Sequence, residues 1–249
     1  MRIALLACLL LLPCSCLSFE ARGYGAYMQP RLSGDLALSP DPTTPAGLGV
    51  EMKQLGVDAD NSPYVRADME ASIVNVSVSA FRFQSSGSGQ LGAGFGGIPA
   101  GVAVNSDIDI LNVKGAVTFD LLDLGIVRVS PGFAIDYTDM DFEVRQVGSV
   151  TRERLQVQVP APLGYVQGEI DLGPVAANID LGAMRVKLDQ VDGTYIDFEA
   201  MLRYEPSDNF ELIGGYRIIT VDGEGFVDGQ AYDVDVELAG WFIGGGFTF

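Results

Sequence analysis

The chain has 249 residues, 33 of them acidic and 15 basic, with no histidine and three cysteines that all precede residue 17. Beyond Cys16 those counts exclude a His-based catalytic triad, a His-ligated metal and a Cys-ligated zinc, leaving carboxylate, hydroxyl, lysine or tyrosine chemistry. Hydrophobic residues make up 48% and charged ones 19%, but 31 glycines and 12 prolines interrupt the chain too often for long helices, so one large all-β domain is expected.

Met1-Arg2 carries one positive charge, Ile3 to Leu12 is unbroken apolar sequence, and Pro13 to Ser18 is a small-residue region. This is the grammar of a secretory signal peptide over residues 1–18, with cleavage expected after Ser18 and residues 19–249 as a single domain. Cys14 or Cys16 is the alternative, as an acylated cysteine, although Pro-Cys-Ser before Cys16 is a poor lipoprotein box. Either way no cysteine pair remains, so an exported chain of this size needs another source of stability, such as a continuous sheet or a lipid environment. Removing the signal leaves a charge of 14 minus 33, or −19, which makes nucleic acid a very poor partner.

From there the chain shows period-two alternation in segments of about ten residues separated by turn residues. Ten strands are predicted, at 24–38, 64–72, 74–84, 107–120, 125–142, 163–172, 175–188, 194–205, 210–221 and 232–249. At 72–73 the apolar face switches from Val65, Ala67, Met69 and Ala71 to Val74, Val76, Val78 and Ala80, which fits a hairpin or one bulged strand; an even strand count favours the hairpin. In 125–142, Val127, Val129, Pro131, Phe133, Ile135 and Tyr137 oppose Arg128, Ser130, Ala134, Asp136 and Thr138. In 194–205, Ile196, Phe198, Ala200, Leu202 and Tyr204 oppose Asp197, Glu199 and Arg203. In 210–221, Phe210, Leu212, Tyr216 and Ile218 oppose Glu211 and Arg217, and Glu205 to Asn209 makes the turn between the last two.

The closing segment places Trp241, Ile243, Phe247 and Phe249 on one face over nine residues, the span of a tilted strand crossing a bilayer, with aromatics as girdles. Asp233, Asp235 and Glu237 share that face, so either Gly240 marks a bulge or residues 232–238 project above the membrane. Short turns near 71–73, 121–124, 172–174 and 205–209 alternate with longer or acidic links at 39–63, 84–106, 143–161, 189–193 and 222–231, the pattern of a bacterial outer-membrane barrel. The expected fold is therefore an antiparallel transmembrane β-barrel of about ten strands, with eight strands and a soluble β-sandwich as alternatives.

The export signal, the closing Phe249, Arg31-Leu32-Ser33-Gly34-Asp35, the Asp120-Leu121-Leu122-Asp123 turn, and Tyr204-Glu205-Pro206 leading to Gly214-Gly215-Tyr216-Arg217 resemble a family of small, functionally uncharacterised bacterial outer-membrane barrel proteins. The resemblance covers essentially the whole mature chain. It implies outer-membrane location, contact with membrane lipid and lipopolysaccharide, and recognition of the terminal aromatic strand by the barrel assembly machinery. It carries no catalytic residue across.

Gly92-Ala93-Gly94-Phe95-Gly96-Gly97 spells a dinucleotide-binding loop, but Ile98-Pro99-Ala100-Gly101 cannot begin the helix that motif needs, so an external loop is expected. Asn75-Val76-Ser77 is a glycosylation sequon without meaning in a bacterial strand. Asp139, Asp141 and Glu143, and separately Asp222, Glu224 and Asp228, are candidate oxygen ligands for divalent cations at external strand ends, set against solvated acidic loops. Asp197, Glu199, Arg203, Glu211, Arg217, Arg128 and Asp136 are the candidate lumen-lining residues, forming either a narrow permeation path or a salt-bridged plug. Asp197 and Glu199, two apart on a strand inside a narrow barrel, leave no cleft for glycosidase chemistry. Thr44-Pro45 is a candidate helix start in the first external loop. No cofactor and no enzyme activity are expected; the expected role is structural or surface-interaction, with a narrow cation-preferring pore as the transport alternative and a lipid-modifying or proteolytic enzyme weakened by the missing histidine.

Overall fold

The computed structural model describes residues 19–41, 44, 46–188, 191–207, 209–227 and 229–249. The expected signal peptide, with Cys14 and Cys16, lies outside the described residues, as do Pro45, Asp208 and the candidate ligand Asp228. Twelve antiparallel strands form one sheet: β1 (Phe19–Leu38), β2 (Val50–Glu51), β3 (Ser62–Ala71), β4 (Val74–Gln90), β5 (Ala103–Phe119), β6 (Leu122–Asp123), β7 (Val127–Gln146), β8 (Arg152–Asp171), β9 (Val175–Leu188), β10 (Val191–Ser207), β11 (Phe210–Val227) and β12 (Gln230–Thr248). The sheet becomes a ring where β12 pairs with β1, from Arg22 opposite Thr248 to Leu38 opposite Tyr232. Closure removes the edges that an open sheet would expose. Ten long strands form the wall; the two beyond the sequence count, β2 and β6, are two residues each.

At residues 72–73 the chain makes a tight hairpin, with Ser72 at φ 59°. The phase change of the apolar face there is a reversal of direction, since the two strands pair from Ala71 opposite Val74 upward.

Several wall strands reach 20 residues. At roughly 3.3 Å per residue such a strand is about 65 Å long, well beyond the 9–11 tilted residues that cross a bilayer core. The excess lies at the end away from the short turns, and there the polarity of the wall inverts. On β7 the outward face runs from Phe133 and Ile135 to Asp139, Asp141 and Glu143, while the inward face runs from Ser130 and Asp136 to Met140, Phe142 and Val144. On β12 it runs from Phe247, Ile243 and Trp241 to Glu237, Asp235 and Asp233. The same crossover falls at Ala80/Arg82 on β4, Leu111/Asp109 on β5, Ala183/Arg185 on β9 and Ile218/Thr220 on β11.

A belt of exposed apolar side chains thus encircles the half nearest the short turns, too large a patch for a water-facing surface. The other half is a conventional barrel with an apolar core and a polar skin. This inversion corrects the expected long links at 84–106, 143–161 and 222–231. Strand continues to Gln90, restarts at Ala103, runs to Gln146, restarts at Arg152, and runs to Val227. Polar residues facing water on one side of a strand had the composition of loops. It also decides between the two readings of Asp233 to Glu237. The register of β12 passes Gly240 without a break on either neighbour, so there is no bulge and this stretch stands above the belt.

The mouth is covered by two loops. In the first, Val50, Met52 and Leu55, the last two within a single 3-10 turn (Met52–Leu55), are buried; in the second, Leu91, Phe95 and Ile98 are buried beside them. Gly87 makes this possible, because a Cβ there would lie 2.0 Å from the carbonyl oxygen of Gly56.

Candidate functional site

Inward positions of the belt half carry charge on nearly every strand, and the ring brings those charges together. At the centre, Arg217 donates from Nε and Nη2 to Asp197 at 2.9 and 3.2 Å and approaches Asp136 at 3.4 Å and Glu199 at 3.6 Å. Lys114 donates to Asp197 at 2.6 Å. Arg66 donates to Asp180 at 2.8 Å, to Glu199 at 2.5 Å and to Asp68 at 2.9 Å, and the Tyr64 hydroxyl donates to Glu199 at 3.1 Å. Aromatic rings pack the remaining space: Phe81 lies 5.4 Å from the Arg217 guanidinium, Tyr165 lies 5.5 Å from the Lys114 ammonium, and Tyr64 stacks on Phe242 at 4.9 Å.

A second ring sits nearer the short turns. Arg203 donates to Glu169 at 2.8 Å, Arg22 to Glu70 at 2.6 Å, Arg128 to Glu70 at 2.9 Å, and Tyr24 to Glu211 at 2.8 Å. Within this ring a polar cavity of about 20 Å³, lined among others by Arg22, Glu70, Glu169 and Arg203, has room for about one water. Asn75, from the sequon, points into this ring and donates to Asp120 at 2.6 Å.

Of the candidate lumen residues, Asp197, Glu199, Arg217 and Asp136 therefore meet in the central cluster, whereas Arg203, Glu211 and Arg128 belong to the lower ring. Arg66, Lys114, Asp180 and Glu169 were not singled out from the sequence. Their signal is present in the sequence, since Arg66, Asp68 and Glu70 alternate against the apolar face of Val65, Ala67 and Met69. The Gly92 to Gly97 segment is an external loop: Phe95 and Ile98 exchange backbone hydrogen bonds at 2.9 and 3.0 Å as part of the lid.

The projecting wall has two electrostatically different sectors. On β4, β5, β7 and β8 the acids are matched: Asp109 with Arg82, Asp107 with Arg145, Asp141 with Arg154, and Glu143 with Arg145 and Arg152 at 3.6 and 3.7 Å. Arg82's hydrogen bonds hold the Asp109 carboxyl below its ordinary range. Asp139 accepts from Gln156 and Gln158 at 3.1 and 3.4 Å. The first candidate metal cluster is thus engaged in pairs with neighbouring side chains.

On β1, β2, β10, β11 and β12 the acids face each other. Glu51, Asp35, Asp235 and Asp222 are successive cross-strand partners in one row, and Asp192, Glu224 and Asp233 form the next. Directly opposed side chains lie about 5 Å apart at Cβ, and like charges there are destabilising. Lys53 pairs with Glu51 and Lys187 with Asp192 at 3.1 Å, but among the described residues no ion pair reaches Asp35, Asp222, Glu224, Asp233 or Asp235. Partial burial, with the charges of Asp222, Asp235 and Asp35 in the adjoining row, pushes the Asp233 carboxyl above its ordinary value. Asp222 and Glu224, from the second candidate metal cluster, stand in different rows. Among the described residues no group of three or more Asp, Glu, Cys or His is arranged to hold a metal ion.

No family model matches the chain. No curated protein matches it either. Among solved structures, the outer-membrane protease OmpT from Escherichia coli aligns over 95% of this chain and 99% of its own, with a TM-score of 0.57 at 6% identity. This chain has the outer-membrane β-barrel fold. Other neighbours include OprG from Pseudomonas aeruginosa (TM-score 0.41, 15% identity, 93% and 95% covered) and Ail, the attachment invasion locus protein of Yersinia pestis (0.39, 13%, 92% and 98%). At such identities the likeness extends to the fold and to no residue's role.

Proposed function

We propose that the protein is an integral bacterial outer-membrane barrel, non-catalytic and closed to solutes, whose projecting wall is an interaction surface for cationic partners. The observation that supports this most directly is the unmatched acidic sector, where Asp35, Asp235 and Asp222 oppose one another across three strands. Opposed like charges cost stability in the free protein and are relieved when a cationic partner binds. The filled lumen argues against permeation as the role, because Arg217 at its centre is wholly buried. OmpT's protease activity is not carried over, since the resemblance is one of fold and this chain has no histidine.

The test is binding of a lysine-rich polypeptide to the full chain in lipid nanodiscs. Salt-sensitive binding that Asp35→Asn with Asp235→Asn and Asp222→Asn abolishes supports the reading, and binding indifferent to those changes sinks it. Divalent cations, bridging to lipopolysaccharide, are the small-ion version of the same role; an unchanged melting temperature on adding calcium or EDTA removes that version. The alternative, a narrow cation-preferring pore, draws on the carboxylates that outnumber cations in the central cluster, and absence of conductance in repeated planar-bilayer reconstitutions eliminates it. Trp241, Phe247 and Phe249, all outward-facing, are assigned to the girdle and to recognition by the assembly machinery. Phe249→Ala should then lower the yield of assembled barrel in cells without changing refolding in vitro.

A further inference from the structure

Among the described residues, two neighbouring long strands of the ring part above the belt. β8 and β9 pair only from Asp171 opposite Ala176 up to Gly164 opposite Ala183, although β8 continues to Arg152 and β9 to Leu188. The sequence explains the stop. Asp171 donates its N–H to Ile126 and Thr151 accepts from Gln146, so odd-numbered residues of β8 turn their backbone groups toward β7 and even-numbered ones toward β9. Pro160 and Pro162 are both even. Their missing donors fall on the β9 side at successive ladder positions, where proline is tolerated only at an unpaired edge.

Behind the parting lies a cavity of about 70 Å³ lined mainly by apolar residues, with Asp192, Thr194 and Asp222 at its margin. Its back wall is the row Val186, Gly193, Gly223 and Val234, cross-strand partners on β9 to β12. Two adjacent glycines in an otherwise apolar row leave the space that side chains would fill. Met184, Tyr195 and Val221 form the floor, and Val157 and Val159 of β8 form the other side of the entrance. Just below the opening, outward-facing Val166 and Leu181 belong to the apolar belt. At its rim, exposed Arg185, between the lining residues Met184 and Val186, makes no ion pair among the described residues, in a protein otherwise rich in acid. An apolar pocket opening sideways at the level where hydrocarbon gives way to head groups, with a cation at its rim, fits one kind of molecule.

We infer that the β8/β9 parting is a lateral entrance for a single-chain anionic amphiphile, a long-chain fatty acid, whose carboxylate pairs with Arg185 while the end of its chain occupies the cavity. The acidic sector begins on the same strands, at Asp192 and Asp222 beside the cavity, so the two roles are separated by their probes, a fatty acid here and a lysine-rich polypeptide there. The lipid side supplies the ligand, so the filled lumen below presents no obstacle.

The experiment uses the full chain in lipid nanodiscs and a long-chain fatty acid bearing a diazirine near the end of its chain, with crosslinked peptides mapped after illumination. Label is expected on the peptides holding Val157 to Val159, Met184 to Val186 or Val221. Gly223→Leu should remove it, because a Cβ there meets Asp192 O at an ordinary 3.6 Å and the added side chain fills the cavity rather than straining the wall. Should that variant fail to assemble, Pro160→Thr with Pro162→Thr restores the missing donors and should lose the label by extending the β8/β9 ladder. Arg185→Glu should abolish labelling by the acid and leave labelling by the matching fatty alcohol. Label confined to belt residues such as Val166 and Ile179, cavity label that survives both sealing changes, or equal response of acid and alcohol to Arg185→Glu overturns the proposal.

Discussion

Arg217 on β11 reaches diagonally past its cross-strand partner Glu199 to Asp197 on β10, and the two fully buried side chains are joined by two hydrogen bonds of 2.9 and 3.2 Å. Removing one member of a buried pair strands the other charge in a dry interior, at a cost of about 3–5 kcal/mol. Arg217→Met should therefore lower stability in lipid vesicles by that order, read as the urea midpoint of the heat-modifiable band. Lys114→Met should cost less, because Asp197 then keeps both bonds to Arg217. Equal stability of wild type and Arg217→Met refutes the account of the lumen as an ion-paired plug.

The parts of this fold legible in the sequence were those that obey one rule throughout. Lipid outside and charge inside gives clean alternation, so Phe198, Ala200 and Leu202 could be set against Asp197, Glu199 and Arg203 without a structure. Above the belt the rule reverses. Asp139, Asp141 and Glu143 then keep the outward face while Met140, Phe142 and Val144 take the inward one, so apolar and polar residues exchange sides without any change in strand register. Charge pairing was less legible for another reason. Arg66 reaches Asp180, 114 positions away, and which strands meet across a lumen is set by ring closure rather than by local spacing.

The plug and the lid make separate predictions about permeability. The lid is built from Val50, Met52 and Leu55 of the first loop and Leu91, Phe95 and Ile98 of the second, whereas the ion-paired cluster is built into the strands beneath. Replacing residues 46–56 and 91–101 by short Gly-Ser linkers should leave planar bilayers without detectable conductance, since the cluster still fills the cross-section. If that deletion alone opens stable channels, the lid is the gate and the lumen beneath it is not closed.

Gly215 is an inward position where a side chain is excluded by a specific neighbour. A Cβ there would lie 2.4 Å from Phe242 Cζ and 2.4 Å from Ala200 O, and Phe242 is held by its stack on Tyr64. Gly215→Ala should destabilise by about 1–3 kcal/mol through overpacking. Adding Phe242→Leu should recover part of that loss, and the remainder reports the clash with the Ala200 carbonyl. The same unfolding midpoint measures both. No coupling between the two substitutions argues against the proposed contact.

The acidic sector sets a pH dependence whose sign follows from its geometry. Asp233 lies above the belt, and partial burial together with Asp222, Asp235 and Asp35 raises its folded-state pKa above the unfolded value of about 3.9. The folded protein then holds that proton more tightly than the unfolded chain. Its contribution to stability is fully present below pH ~4 and is lost as pH rises through the folded pKa. Asp109 acts in the opposite sense, because its folded pKa is lowered by Arg82, so the overall pH profile mixes both. The informative quantity is the difference between wild type and Asp233→Asn. The variant should be the more stable at pH 7 and lose that advantage on acidification, and added salt, which screens charges beyond about 8–10 Å, should narrow the gap at neutral pH. A difference that stays constant with pH would falsify the repulsion assigned to these rows.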